Sequence, residues 1–455
     1  MPKVLAYKKG AIIYFEGDRD DRIFILQQGH IILTTMDDET QSQRSSVLNP
    51  GEFFGIKSAL VRCPREETVT AGDNATCVVL SVPEFENLFS TNKQLMMKML
   101  RVFSKELRDV HGRTMSLLNQ GNVMDAGKGL YSMTKAFYDE EKWRGCIGSA
   151  NRLLKIDKRY SESKDFVLMY KTALANVRQI EKREAAEERA KYEEGLDSDD
   201  WDTNDYQSEG TGKAFNLPAF DRFVKTYNNG EIIIAEFEKG ESFYLIQRGL
   251  VQLTKLVHDS NKNLDILKPG EMFGEMAILD NSPRSATCIA KGKVDCLEFT
   301  KQNFEVLITG NPPIALMLLK TFCKRILDQK RRYKTLVIDD NSARIADVFC
   351  MFNEMNSLPA IPTPQAVENI IKKLNPDKYR IFPVTIQDMA SWAGLTVDET
   401  RDELKKFSTS GRVGVYDSYI IVMNIDEMRR TVEQRTKMLN RKKEIERNKA
   451  AIRFD

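Results

Sequence analysis

Two stretches of the chain alternate short apolar runs with glycine and charged turns. The first holds Ala11-Ile12-Ile13-Tyr14-Phe15, Arg22-Ile23-Phe24-Ile25-Leu26 and His30-Ile31-Ile32-Leu33. The second holds Glu231-Ile232-Ile233-Ile234, Phe243-Tyr244-Leu245-Ile246 and Leu250-Val251-Gln252-Leu253. β-Branched and aromatic runs this short, divided by turn residues, predict the strands of a small barrel or jelly roll. A helical period follows each stretch, over Leu95 to Val110 and over residues 314–335. In the second of these, Leu316, Leu319, Phe322, Cys323, Ile326 and Leu327 recur at three- and four-residue steps. That stripe suits packing on its own barrel or a homodimer interface. Between the two stretches, Leu130 to Tyr138, Trp143 to Leu154 and Ser161 to Ile180 read as helices.

The two β-rich stretches are a duplication. Gly10 and Gly29 match Gly230 and Gly249 at an offset of 220. Pro50-Gly51-Glu52, Phe54-Gly55, Pro64-Arg65 and Phe85 match Pro269-Gly270-Glu271, Phe273-Gly274, Pro283-Arg284 and Phe304 at an offset of 219, as one deletion would produce. Residues 181–209 carry 12 acidic and 4 basic side chains, a composition that predicts a flexible acidic linker.

Charge narrows the function only locally, since 68 basic and 66 acidic residues nearly cancel. Seven cysteines without a CxxC pair, and three histidines, argue against a disulfide framework, a zinc site or an iron–sulfur centre. No nucleophile–histidine–carboxylate pattern, kinase motif or cyclase motif is present, so no enzyme activity and no resident cofactor or metal are expected. Neither a signal-peptide core nor an apolar run of about 18 residues occurs. A cytoplasmic protein with no membrane contact is expected.

The richest chemistry lies at residues 269–287. Gly270 and Gly274 allow tight turns and close backbone approach to a ligand. Glu275, Met276 and Ala277 begin a short helix, and Arg284 with Ser285 supplies a charge-assisted fork for a phosphate. A carboxylate at Glu275 suits a ribose hydroxyl. This string resembles the phosphate-binding cassette of cyclic-nucleotide-binding domains, where the glutamate holds the ribose 2′-hydroxyl and the arginine holds the cyclic phosphate. The resemblance carries those roles to Glu275 and Arg284, with Ser285 beside the phosphate. In the first copy Ile56 replaces the glutamate and Glu66 follows Arg65. It reads as a ligand-free structural or dimerising copy, or as a weaker site built on Gly55 and Arg65.

Near the end, Thr385 caps one predicted helix, Gly394 makes a turn, and Thr396 caps a second helix running to Phe407. Val413 to Met423 suits a β-hairpin wing. With the cassette upstream, this order resembles the Crp/Fnr family of transcription factors over residues 215–424. The resemblance implies a multidomain α+β architecture with two β-jelly-roll cyclic-nucleotide-binding domains, a helical insert and a C-terminal winged helix. The expected divisions are 1–120 for the degenerate copy and 121–180 for a weakly tetratricopeptide-like insert. An acidic linker over 181–214, the binding copy over 215–338, the winged helix over 339–424 and a basic helical tail over 425–455 complete them.

The implied ligand is cyclic AMP, with cyclic GMP or a cyclic dinucleotide as alternatives. Gln329 and Lys330 stand where cyclic-AMP-selective members of the family carry a Thr-Ser pair, which makes Lys330 a candidate base contact. DNA would be met by Thr396, Val397, Asp398 and Arg401. Arginines of the best-known activators are replaced here by Val397 and Asp402, which removes strong guanine contacts. The expected function is a cyclic-nucleotide-binding transcriptional regulator. Its alternative is a nucleotide-responsive scaffold that contacts proteins, through the helical insert, without binding DNA.

Overall fold

The computed structural model describes residues 2–36, 42–119, 125–193, 222–257, 260–279, 281–355, 368–372 and 374–451. Two compact units are present: residues 1–112 with 119–326, and residues 113–118 with 327–455. The division passes through a long helix, after Ile326, rather than near Asp339.

Copy one folds as two four-stranded antiparallel sheets. Strands β1 (Lys3–Tyr7), β2 (Ile12–Tyr14), β3 (Ile23–Gln28), β4 (Ile31–Met36), β5 (Gln43–Leu48) and β6 (Phe53–Phe54) precede a short helix α1 (Ile56–Val61). Strands β7 (Thr68–Ala71) and β8 (Ala75–Leu80) then complete the sheets, ordered β1-β8-β3-β6 and β2-β7-β4-β5. Their inner faces bury Tyr14, Phe24, Leu26, Phe54 and Val69. Helix α2 (Val82–Thr91) starts at a reciprocal cap between Ser81 and Glu84, and α3 (Lys93–Asn119) follows.

The insert consists of α4 (Ala126–Asp139), α5 (Trp143–Ile156) and α6 (Lys164–Glu193). Helix α6 continues 13 residues past the predicted end at Ile180, so the first part of the expected acidic linker is helical. Residues 181–193 are strong helix formers, and ion pairs Arg144–Glu184 (2.6 Å) and Arg183–Glu187 (3.7 Å) support them. The remainder of that linker, residues 194–214, lies outside the described residues.

Copy two repeats the strand pairings of copy one. Strands β9 (Val224–Tyr227), β10 (Ile232–Ile234), β11 (Ser242–Val257), β12 (Ser260–Leu267), β13 (Met272–Phe273) and β14 (Thr287–Thr300) enclose helix α7 (Glu275–Leu279). The expected strands at 243–246 and 250–253 are one long strand here. β11 runs unbroken where copy one divides it into β3 and β4, with register shifts at Ile246/Arg248 and Arg248/Leu250.

Helices α8 (Lys301–Gly310) and α9 (Pro312–Leu336) follow. Leu318, Leu319, Phe322, Cys323 and Ile326 of α9 share one core with Met96, Leu100, Phe103 and Leu107 of α3, and Lys320 pairs with Glu86 at 2.7 Å. Burying each large side chain there contributes roughly 1.5–3 kcal/mol. Up to Ile326, the apolar stripe expected to pack on its own barrel or to form a homodimer is covered by α3 of the chain's first copy.

The second unit contains α10 (Asn341–Met355), α11 (Glu368–Ile371), β15 (Arg380–Phe382), α12 (Ile386–Ala393), α13 (Val397–Thr409), β16 (Val413–Val415), β17 (Ile420–Val422) and α14 (Ile425–Ala451). Thr385 with Asp388 caps α12, left-handed Gly394 ends it, and Thr396 with Glu399 caps α13. Phe349, Phe352, Phe382, Trp392 and Phe407 fill the core, and the strands form a sheet ordered β15-β17-β16. Among the described residues no single helix is long and apolar enough to cross a membrane.

Candidate functional site

The predicted cradle assembles where β13 meets α7. Gly274 has φ 81°, and a Cβ there would lie 2.8 Å from Arg284 Nη1, so glycine is required both by backbone and by space. Arg284 donates from Nη1 to the Gly274 carbonyl and from Nη2 to the Ser242 carbonyl, each at 2.6 Å. Burial pulls its guanidinium below the usual arginine value. Met276 and Ala277 are buried in α7 and Ser285 follows Arg284, its carbonyl accepting from Lys255 at 3.0 Å. Thr287 faces the insert, with its hydroxyl 3.5 Å from Met133 Sδ and accepting from Glu236 N.

Glu275 is 1% exposed, and its Oε1 accepts from Arg325 Nη1 at 3.1 Å. Glu275 Oε2 and Arg284 Nε are buried without a hydrogen-bond partner among the described residues. A buried, half-satisfied carboxylate costs free energy unless a further donor meets it. Burial raises the Glu275 pKa, against the opposing pull of Arg325. In the window above the ordinary glutamate value the folded chain therefore keeps a proton that the unfolded chain has lost. Stability contributed by this group falls as pH rises through that window. Denaturant titrations from about pH 4 to about pH 8 are expected to show a shallower decline for Glu275→Gln than for the parent chain.

Sequence reasoning missed Arg325. Its only signal is a basic residue on the apolar helix α9, beside the stripe that packs inward. Lys330, the expected base contact, lies beyond the division at Ile326 and belongs to the second unit. A second unexpected cation comes from copy one: Arg108 of α3 donates to the Pro283 carbonyl at 3.1 Å, and its charge acts on Glu275.

The equivalent place in copy one is filled by the chain itself. Arg65 repeats the Arg284 geometry, donating to the Gly55 carbonyl at 2.7 Å and the Arg22 carbonyl at 2.6 Å. It also meets Ser58 Oγ at 2.9 Å and the Asp20 carboxylate at 3.3 Å, and lies over the Tyr14 ring. Asp20 aligns with Gly240, whose added Cβ would lie 2.3 Å from Ala277 Cβ, so copy two has no room for that carboxylate.

Copy one also replaces the Glu275–Arg325 pair. Lys57 pairs with Glu106 at 2.5 Å and with Glu66 at 3.0 Å, and Glu106 stands at the position of Arg325. Burial opposes the Lys57 charge, but Glu66, Glu106 and Glu67 hold its pKa well above the ordinary lysine value. Glu66, which follows Arg65, is paired within the chain. It is one arm of an internal charge network.

In the second unit, Thr396 accepts from the Glu399 backbone at 3.2 Å as the α13 cap. Val397 and Asp398 begin the helix, and Asp398, 89% exposed, pairs with Arg401 at 2.6 Å.

The family model for the cyclic nucleotide-binding domain matches this chain twice, over residues 4–92 and 224–311. The chain is 27% identical over 121 residues to the CRP-like cAMP-activated global transcriptional regulator of Mycobacterium tuberculosis, covering 26% of this chain and 54% of the relative. It is 28% identical over 123 residues to the cyclic AMP receptor protein of Thermus thermophilus, covering 27% and 57%. The cAMP-dependent protein kinase regulatory subunit of Blastocladiella emersonii is 36% identical over 85 residues, 18% of this chain and 21% of that protein. The chain thus spans little more than half the length of the bacterial relatives. Among solved structures, the c-di-GMP responsive global regulator of Xanthomonas campestris aligns over 44% of this chain and 93% of its own, with TM-score 0.35 and 17% identity. The chain carries two cyclic nucleotide-binding domains and is similar to CRP-like regulators.

Proposed function

We propose that the chain is a non-catalytic, cytoplasmic regulator of Crp/Fnr type whose second copy binds a cyclic nucleotide and whose first copy binds none. One observation carries this reading. The arginine of copy two stands beside a buried glutamate with an unpartnered oxygen, whereas that of copy one is met by Asp20. Arg284 takes the cyclic phosphate, and Glu275, oriented by Arg325, accepts the ribose hydroxyl. Cyclic AMP is the first ligand to test, in keeping with the named relatives; cyclic GMP and cyclic dinucleotides are the comparison ligands. Because Arg325 lies on α9 and Arg108 on α3, ligand at Glu275 biases both helices. The α9 helix continues into the second unit, which supplies a route for a population shift.

The second unit is proposed to be a winged helix, with α12 and α13 as helix-turn-helix and β16–β17 as wing, acting on DNA. The Asp398–Arg401 pair favours a second reading, in which α13 meets protein instead, because Arg401 is already neutralised on its own helix. Binding to mixed genomic duplexes measured across salt concentrations separates the two. A transcription factor gives nucleotide-enhanced affinity that falls steeply with salt. Absence of DNA binding with and without nucleotide rules out the DNA reading and leaves the protein-contact one.

A further inference from the structure

The two copies differ on the outer face of one sheet. In copy one Ile12 stands opposite Thr70, Thr70 opposite Ile32, and Ile32 opposite Val47, forming one cross-strand row. Phe15 and Met36 extend it. Ile12, Phe15, Met36 and Val47 are 47–56% exposed. The equivalent row of copy two is Ile232, Ile289, Gln252 and Ile266, with Leu256 in the place of Met36. There Ile232, Ile289 and Leu256 are buried in one core with Leu130, Met133 and Phe137 of α4 and Ala150 of α5.

A polar anchor accompanies that covered face. Arg152 of α5 donates to the carbonyls of Ile232 (3.0 Å) and Ile233 (3.1 Å) and pairs with Glu238 at 2.9 Å. Glu238 in turn accepts from the Ala235 backbone at 2.9 Å. Copy one keeps the same device: Asp18 accepts from the Phe15 backbone at 2.8 Å, beside the edge strand that carries Ile12 and Ile13. The apolar row and its acidic anchor are both present, but α4 and α5 lie on the other copy.

We propose that this face of copy one is a docking surface for an α-helical hairpin of a partner protein. The fitting hairpin has a face of aliphatic and small residues, as α4 and α5 do, and an arginine that clamps Asp18 and the edge carbonyls. The proposal is independent of nucleotide binding. An exposed apolar row across four strands is a mark of an interaction site, and the duplicated copy shows which class of element covers it.

The probe is a stapled, fluorescently labelled peptide of residues 125–157, titrated into the full-length chain and followed by anisotropy. Saturable binding is expected, weakened at least about tenfold by Val47→Lys and by Met36→Lys, which place a charge on the apolar row. Asp18→Ala, or Arg152→Ala within the peptide, is expected to weaken it about tenfold or more, on the order of one charge-assisted bond. Because Val47 and Met36 are half exposed, both variants are expected to keep the parent melting temperature, which separates lost docking from lost folding. No saturable binding, or affinity unchanged in both variants, overturns the proposal. Self-association of the parent chain that Val47→Lys abolishes in sedimentation would also overturn it, assigning the face to a second copy.

Discussion

Replacing Arg284 with alanine is expected to weaken cyclic nucleotide binding by about 100-fold or more. Two charge-assisted hydrogen bonds to a phosphate contribute about 1.5–3 kcal/mol each, and 1.4 kcal/mol is a tenfold change. Calorimetric titration with cyclic AMP, cyclic GMP and cyclic di-GMP measures the loss and shows which ligand gives the largest. Arg284 also satisfies the carbonyls of Gly274 and Ser242, so alanine removes part of the scaffold. Arg284→Lys keeps the charge but loses the fork, and is expected to bind with intermediate affinity. Unchanged affinity in both variants would exclude the cradle.

Arg65→Ala is expected to do the opposite: nucleotide affinity stays at the parent value while the fold loses about 3–5 kcal/mol. Its side chain is wholly buried between Asp20, Ser58 and two carbonyls, so truncation strands these groups in a poorly solvated place. Chemical denaturation measures the loss. The accompanying titration is expected to give one ligand per chain in both parent and variant. Two ligands per parent chain, falling to one in Arg65→Ala, would show that copy one binds after all.

Much of this was legible in the sequence where spacing and residue type act locally. The duplication, the strand runs, both caps at Thr385 and Thr396, and the chemistry expected of Gly274, Glu275 and Arg284 are matters of short-range pattern. What escaped is long-range. Asp20 lies 45 positions from Arg65, and Glu106 lies 49 from Lys57, so no local rule joins them. The α9 stripe had the correct period, but periodicity says only that a face is buried, not whether α3 or another chain buries it. Helix α6 outruns its predicted end at Ile180 because Ala, Glu, Lys and Arg carry a helix propensity that acidic composition alone does not show. The family resemblance points to Lys330, and the same helix also brings Arg325 to the cradle, which helix position alone does not reveal.

Phe237 takes the place of Gly17, and both backbones are left-handed, at φ 74° and 87°. For a phenylalanine that conformation costs about 1–3 kcal/mol. Its ring lies where a Cβ on Gly129 would come within 2.5 Å, so a glycine on α4 is what admits it. The turn at Phe237 hydrogen-bonds the Arg284 backbone, so the insert that seats it shares a core with copy two and supports the cradle. A recombinant fragment cut at residue 215 would present Ile232, Leu256 and Ile289 to water and leave Phe237 strained without its seat. One that begins at Asp125 retains the whole of that core, and one that begins at Lys93 also keeps the α3 cover of α9 and Arg108.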